Sequence, residues 1–213
     1  MTFKKKKQNG NRHMVKLNSG KADKLIFISF LWSIIFYSSV LSEQYLLPGI
    51  YRNNTAFIGI DGNFLTGLID AKIGEAGTYV CQFYFFGSID GNKFPVYCIN
   101  FIDTGKIEGY VNILDNSIFI LKTKENPGCS NMIASFEDNG DTLTLDSIIN
   151  ILQIRIVNSE KAFFHEQPNI STKKRSYLIQ GDEVTVYDKR KDWLYTIYNN
   201  ISGWLYEKDM IQF

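Results

Sequence analysis

Residues 55–73 read TAFIGIDGNFLTGLIDAKI, two apolar runs parted by Asp61-Gly62. An Asp-Gly pair between such runs supplies the positive φ angles of a type I′ turn, so the stretch predicts a tight β-hairpin. The pattern recurs downstream. "TYVCQFYFFGSI" (78–89) and "KFPVYCINFI" (93–102) flank Asp90-Gly91-Asn92, and "KIEGYVNIL" (106–114) meets "SIFILKTK" (117–124) at Asp115-Asn116. "NMIASF" (131–136) and "TLTLDSI" (142–148) are joined by the turn-rich stretch from Glu137 to Asp141. Four hairpins in series, without an amphipathic helix, predict an antiparallel meander. Closure would remove the edges that such a sheet exposes, so a small barrel or strongly curved sheet is expected over residues 43–153.

The last sixty or so residues, 154–213, are near the smallest size that folds alone. They also alternate: Tyr177 and Ile179, then Val184 and Val186, then Leu194, Thr196 and Tyr198. The stretch DWLYTIYNNISGWL (192–205) sets Trp193 and Trp204 on two short runs joined by Asn199, Asn200, Ile201, Ser202 and Gly203. Asn and Gly accept positive φ while Trp, Tyr and Ile favour strands, so this too predicts a hairpin. The connection between the two units is short and not flexible in composition, which predicts that they pack together. No internal repeat relates them. An all-β chain follows: a meander or small barrel, then a second small β unit.

Ahead of both lies a basic head. Residues 1–24 hold eight Lys and Arg against one acid, leaving 15 basic and 21 acidic residues from 25 onward, a balance of −6. A folded part of that sign is a poor general binder of nucleic acid. The head is instead read as the n-region of an export signal. An apolar run, 25–41, ends in small residues, with Val40 and Ser42 at the −3 and −1 positions of a cleavage site. Cleavage would start the mature chain near Glu43, and the long n-region leaves Met14 as an alternative start. Left uncut, the 17 apolar residues are near the lower limit for a membrane anchor, the only route by which the chain would meet a membrane. A buried core helix is the third reading. No Cys follows the run, which argues against a bacterial lipoprotein.

Export gives the three cysteines a role. Cys81 and Cys98 lie in strand-like runs and Cys129 in the turn "NPGCSN". One disulfide plus one buried thiol is the natural count. Cys81 with Cys129 is the expected pair, since tying a loop to a core strand closes a long segment and constrains the unfolded chain most. The other two pairings, and three reduced thiols, stay open.

The segment from Lys161 to Ile211 resembles a bacterial Src-homology-3-like (SH3-like) domain. The resemblance rests on the aromatic pair Phe163-Phe164 before a Pro and on the Thr-Lys-Lys-Arg segment. It rests also on Tyr177 leading to Gly181-Asp182, on Asp192-Trp193, and on a closing Gly203-Trp204-Leu205. It covers about a quarter of the chain and implies a small barrel over 154–213 that binds cell-wall peptide or glycan. Departures from the pattern, a very short connection between Tyr198 and Gly203 and a His at 165, bear on the ligand groove more than on the fold. The first unit is similar to the β-rich domain that precedes SH3-like domains in some exported bacterial proteins.

Catalytic candidates are few. His13 belongs to the head, so His165, beside Glu166, is the one histidine open to an exported site, and a lone His next to an acid in a loop is usually a solvated residue. No Cys pair shows zinc spacing and no Gly-rich loop precedes a helix to cradle phosphate. Cys98 has no visible base in its apolar run. Glu137 and Asp138 stand in a turn, where acids are ordinary. A non-catalytic binding protein without cofactor or metal is expected.

Its binding residues follow from strand parity. Trp193, Tyr195 and Ile197 share one face of "WLYTIY", and Leu194, Thr196 and Tyr198 the other. Phe163, Phe164 and His165 fall on the first long loop of the resembled fold. With Tyr195 or Tyr198 they would form an aromatic shelf for a peptide stem or a sugar face. Trp193 is divided between packing and exposure, and Trp204 reads chiefly as core or barrel rim. Lys173, Lys174 and Arg175 could meet carboxylates or simply stay solvated. The sequons at Asn53, Asn169 and Asn200 matter only in a eukaryotic secretory route, which the bacterial resemblance disfavours. Two functional readings lead: a periplasmic or envelope module that binds peptidoglycan fragments, and an immunity factor or inhibitor that blocks a toxin or wall hydrolase; a purely structural envelope protein is the third.

Overall fold

The computed structural model describes residues 45–53, 55–73, 79–100, 105–129 and 136–212. The leader at 25–42, Met14, and most of the "NMIASF" run lie outside the described residues. Among those described, no helix is long and apolar enough to cross a membrane. Residues 44–213 form one compact unit.

Eight antiparallel strands close into a barrel, each beside its neighbour in sequence. They are β1 (Gly49–Tyr51), β2 (Ala56–Asp61), β3 (Phe64–Ile73), β4 (Tyr79–Ser88), β5 (Lys93–Asn100), β6 (Lys106–Asp115), β7 (Ile118–Thr123) and β8 (Asp141–Ile148). The closing piece is β1, three residues that pair with β2 on one side and β8 on the other. The turns sit one residue later than the sequence reading put them. Asp61 pairs with Phe64, so the β2–β3 turn is Gly62-Asn63, with Gly62 at φ +60°. Asp115 likewise pairs with Ile118, and its carboxylate accepts from the Ser117 N–H, closing the turn at Asn116-Ser117. The "TLTLDSI" strand takes β7 and β1 as its partners.

The barrel is filled. Every second residue of its strands points inward, and Ile58, Leu65, Phe83, Phe85, Phe94, Val111, Phe119 and Leu121 belong to one buried cluster. Gly67 makes room for this packing: a Cβ there would lie 2.2 Å from Cζ of Phe85, its partner across the β3–β4 ladder. Cys81 and Cys129 are disulfide-bonded, tying a core position of β4 to the loop after β7, and Cys98 is a free, buried thiol.

The second sheet has six strands: β9 (Gln153–Ile156), β10 (Ala162–His165), β11 (Lys173–Leu178), β12 (Glu183–Arg190), β13 (Trp193–Tyr198) and β14 (Ile201–Tyr206). Their order is β11-β10-β14-β13-β12-β9. One face carries its own core, with Ala162, Phe164, Leu178, Val184, Val186, Leu194 and Leu205. The β13–β14 turn is shorter than the sequence reading allowed. Tyr198 pairs with Ile201, so Asn199 and Asn200 alone make it, at φ +47° and +66° as a type I′ turn requires. Ile201, Ser202 and Gly203 already belong to β14.

The two sheets share a third apolar cluster. Leu68, Tyr84, Phe86 and Ile99 on the outer barrel wall pack against Ile151, Ile154 and Ile156. Hydrogen bonds cross this seam: the Tyr84 hydroxyl donates to the Ile154 carbonyl at 2.9 Å, and the Ile154 N–H to Thr66 Oγ1 at 2.8 Å. Gln153 Nε2 donates to Asp61 Oδ2 at 2.7 Å. Gly59 lets the backbones approach, since a Cβ there would meet Gln153 Cα at 2.8 Å.

Candidate functional site

Strand parity splits the aromatic residues of the second sheet between its faces. Burial along β13 alternates, with Leu194 and Thr196 buried and Trp193 and Tyr195 half-buried on the opposite side. The ladder sets Trp193 beside Tyr206, Tyr195 beside Trp204, and Trp204 beside His165. These side chains, with Phe163 two residues before His165, cover the face turned away from the sheet's own core.

They are in mutual contact. The His165 ring meets Trp193 edge-on at 4.8 Å, Trp193 lies 5.2 Å from Tyr206, and Tyr195 lies 5.3 Å from Trp204. Phe163 packs on Tyr177 at 5.4 Å. Cations lie over the rings: Lys173 Nζ is 3.3 Å from the Phe163 centroid, Lys161 Nζ 4.9 Å from Tyr177, and the Arg190 guanidinium 4.8 Å from Trp204. A depression of about 260 Å³ opens between Phe163, His165, Trp193 and Tyr206, with Lys161 and Lys173 at its rim and Asp209 beside them. A second, of about 310 Å³, lies between Trp193, Pro168 and Arg190. Trp193 is thus a shared wall.

His165 is buried, and its Nδ1 is 3.0 Å from the Asn169 carbonyl, to which it donates. Burial pushes its pKa below the ordinary value, opposed by that hydrogen bond and helped by nearby Lys173. The imidazole is therefore held neutral, a flat surface between Trp193 and the Asn169 backbone.

The sequence-predicted residues separate as follows. Phe163, His165, Trp193, Tyr195 and Trp204 come together on the shelf, His165 and Trp204 being the most deeply set at 5% and 7% exposure. Phe164 points the other way into the sheet's core, because it alternates with Phe163 and His165 along β10. Tyr198 packs against that same core for the same reason of parity. Lys173 joins the shelf, Lys174 is spent on the Ser202 carbonyl at 2.9 Å, and Arg175 is exposed. Tyr177, Arg190 and Tyr206 were missed by sequence reasoning. Reading the Asn199-Asn200 pair as a two-residue turn would have aligned Trp193 with Tyr206 and exposed that omission.

Elsewhere the chemistry is quiet. Burial raises the Cys98 thiol to about 12, which keeps it protonated. Glu137, Asp138 and Glu166 are exposed. Among the described residues no three His, Cys, Asp or Glu side chains gather as a metal site requires. Comparison with known protein families, curated proteins and solved structures finds no match.

Proposed function

We propose that the chain is an exported, non-catalytic cell-envelope binding protein, and that the aromatic shelf of its C-terminal SH3-like unit recognises cell-wall peptide or glycan. The observation that carries this reading is the single open face on which Phe163, His165, Trp193, Tyr195, Trp204 and Tyr206 lie together. Flat rings offer apolar contact to a peptide stem or to the CH face of a sugar, at little entropic cost because neighbouring rings already hold them. Lys161, Lys173 and Arg190 at the rim supply charge for the carboxylates that wall peptides carry. The supports are this geometry, the ordered SH3-like motifs, and the export signal read at residues 25–42.

The test is sedimentation of the full chain with insoluble peptidoglycan. Retention is expected, and Trp193→Ala with Tyr195→Ala should abolish it while the melting temperature stays within a few degrees. Undiminished retention of that variant would refute the reading. Failure of the wild-type chain to sediment, together with inhibition of a wall hydrolase or toxin, would replace it with the inhibitor reading.

A further inference from the structure

The outer wall of the barrel carries a second cavity, larger than either depression on the shelf. It has a volume of about 380 Å³ and crosses β5, β6 and β7. The ladder explains its form. Val96, Gly109 and Thr123 are paired in one row across the three strands and point their side chains, where they have one, away from it. Their backbone makes the floor. Pro95, Tyr110 and Lys122 form the row on one side, and Tyr97, paired with Glu108, the row on the other. Tyr97 and Tyr110 are diagonal neighbours, about 7–8 Å apart by the geometry of an antiparallel pair.

Each tyrosine is braced from outside the slot. Lys93 Nζ sits 4.1 Å from the Tyr110 centroid, one row beyond it. Tyr97 leans on Phe86 at 6.0 Å, and Lys106, one row beyond, lies 5.7 Å from its ring. Phe86 in turn is locked in the seam between the sheets. Two rings are thus held on either side of a shallow floor, and Tyr97 remains 44% exposed. The apolar seam with the second sheet takes Leu68, Tyr84, Phe86 and Ile99 from the barrel wall and none of the residues that line this cavity.

The charges at the slot say what it fits. Its lining has two acids, Glu108 and Glu137, and two bases, Lys122 and Lys124. Lys124 is ion-paired with Glu108, and Lys122 donates to the Asp138 carbonyl. An anion would meet the carboxylates and a cation the ammonium groups. A neutral ligand rich in hydroxyls can use both, as acceptor and as donor, while its apolar face lies against a ring. We infer that the groove between Tyr97 and Tyr110 is a binding site for a neutral sugar ring. It does not rest on the shelf, shares no residue with it, and stands whether or not the shelf binds cell-wall material.

The slot holds tyrosines and the shelf tryptophans, so the two sites report separately. The experiment titrates the full chain with a neutral N-acetylglucosamine trimer, following the Gly109 amide by NMR and tryptophan emission in parallel. The expected result is saturable movement of Gly109 with a Kd of its own, independent of any change in tryptophan emission at the shelf. Tyr97→Ala and Tyr110→Ala should each raise Kd about tenfold with the melting temperature retained. A glucuronic acid trimer and a glucosamine trimer should bind about tenfold more weakly than the neutral one. A stationary Gly109 amide, whether or not tryptophan emission responds, or binding by the two tyrosine variants as tight as that of the wild type would overturn the inference.

Discussion

Removing the Cys81–Cys129 bond should cost a large share of the chain's margin of stability, and the size of the loss can be worked from loop length. The bond joins residues 48 apart in sequence. Closing a loop of that length in the unfolded chain lowers its entropy enough to destabilise it by ~4 kcal/mol at 25 °C. Domains of ordinary stability have roughly 5–15 kcal/mol in all. The native ends are well prepared: Cys81 lies in the barrel core, and the Cys129 N–H donates to Asn126 Oδ1 at 2.7 Å, fixing the loop that presents it. The perturbation is Cys81→Ala with Cys129→Ala, measured by urea unfolding with circular dichroism in oxidising and reducing buffer. With a urea slope of ~2 kcal/mol/M, the variant should unfold ~2 M earlier than the oxidised wild type and be insensitive to reductant. Cys98→Ala should keep the full reductant effect, because Cys98 is the free thiol. Equal midpoints for the oxidised wild type and the double variant would refute the loop-closure reasoning. Loss of the reductant effect in Cys98→Ala would show that a different pair is bonded.

Three other outcomes follow from the packing and the charges. Gly67→Ala puts a methyl against the Phe85 ring and should destabilise by ~1–3 kcal/mol, part of it restored by adding Phe85→Leu; strictly additive effects would contradict the interlock. Glu183, at the seam beside Asp70 and Asp182, has its pKa raised by burial and then by those acids from 4.5 to about 7. Its folded state therefore holds a proton that the unfolded chain releases, so its contribution is complete below pH 4.5 and lost as pH rises through 7. Allowing for its partial exposure, Glu183→Gln should gain ~1–2 kcal/mol on the wild type between pH 5 and pH 8 in urea titrations, and a constant difference would contradict this. Trp193→Ala should uncover the His165 ring and move its pKa up toward the ordinary value, read from its imidazole resonances in a His13→Gln background; an unmoved pKa would mean that Trp193 is not what shields it.

Strands were easy to read from the sequence because glycine and asparagine punctuate the runs. Both central hairpins of the barrel and the β13–β14 hairpin stand where Gly62, Gly91 and Asn199 foretell them, and the choice of Cys81 with Cys129 from loop length matches the bond. Closure was harder, because β1 is three residues long and has no periodicity to detect. The shelf was half legible. Parity along one strand put Trp193 and Tyr195 together, but joining Phe164 and Tyr198 to them required a face that alternation denies. Tyr206 and Arg190 come to the shelf only through cross-strand register, which depends on knowing the turn to the residue. The run "FYFF" in β4 held an unused signal: it does not alternate because Phe83 and Phe85 fill the barrel while Tyr84 and Phe86 fill the seam.

That double burial governs where recognition can occur. An eight-stranded barrel is just wide enough to hold a small ligand or to be filled by side chains, and this one is filled, by Phe83, Phe85, Phe94 and Phe119 among others. Its interior is closed to ligands, and the wall at β3 and β4 is taken by the second sheet. Among the described residues, the cavity on β5–β7 and the outer face of the second sheet stay available for polar contact. Those are the surfaces on which aromatic rings meet lysines and arginines. The seam also joins their mechanics, since Phe86 packs in it and braces Tyr97, while Gln82 on β4 donates to Glu183 at 2.6 Å. A change that loosens the seam, such as ionising Glu183, should therefore weaken the sugar slot as well as the fold. Trimer affinity that stayed constant from pH 5 to pH 8 while stability fell would show that the slot is braced by the barrel alone.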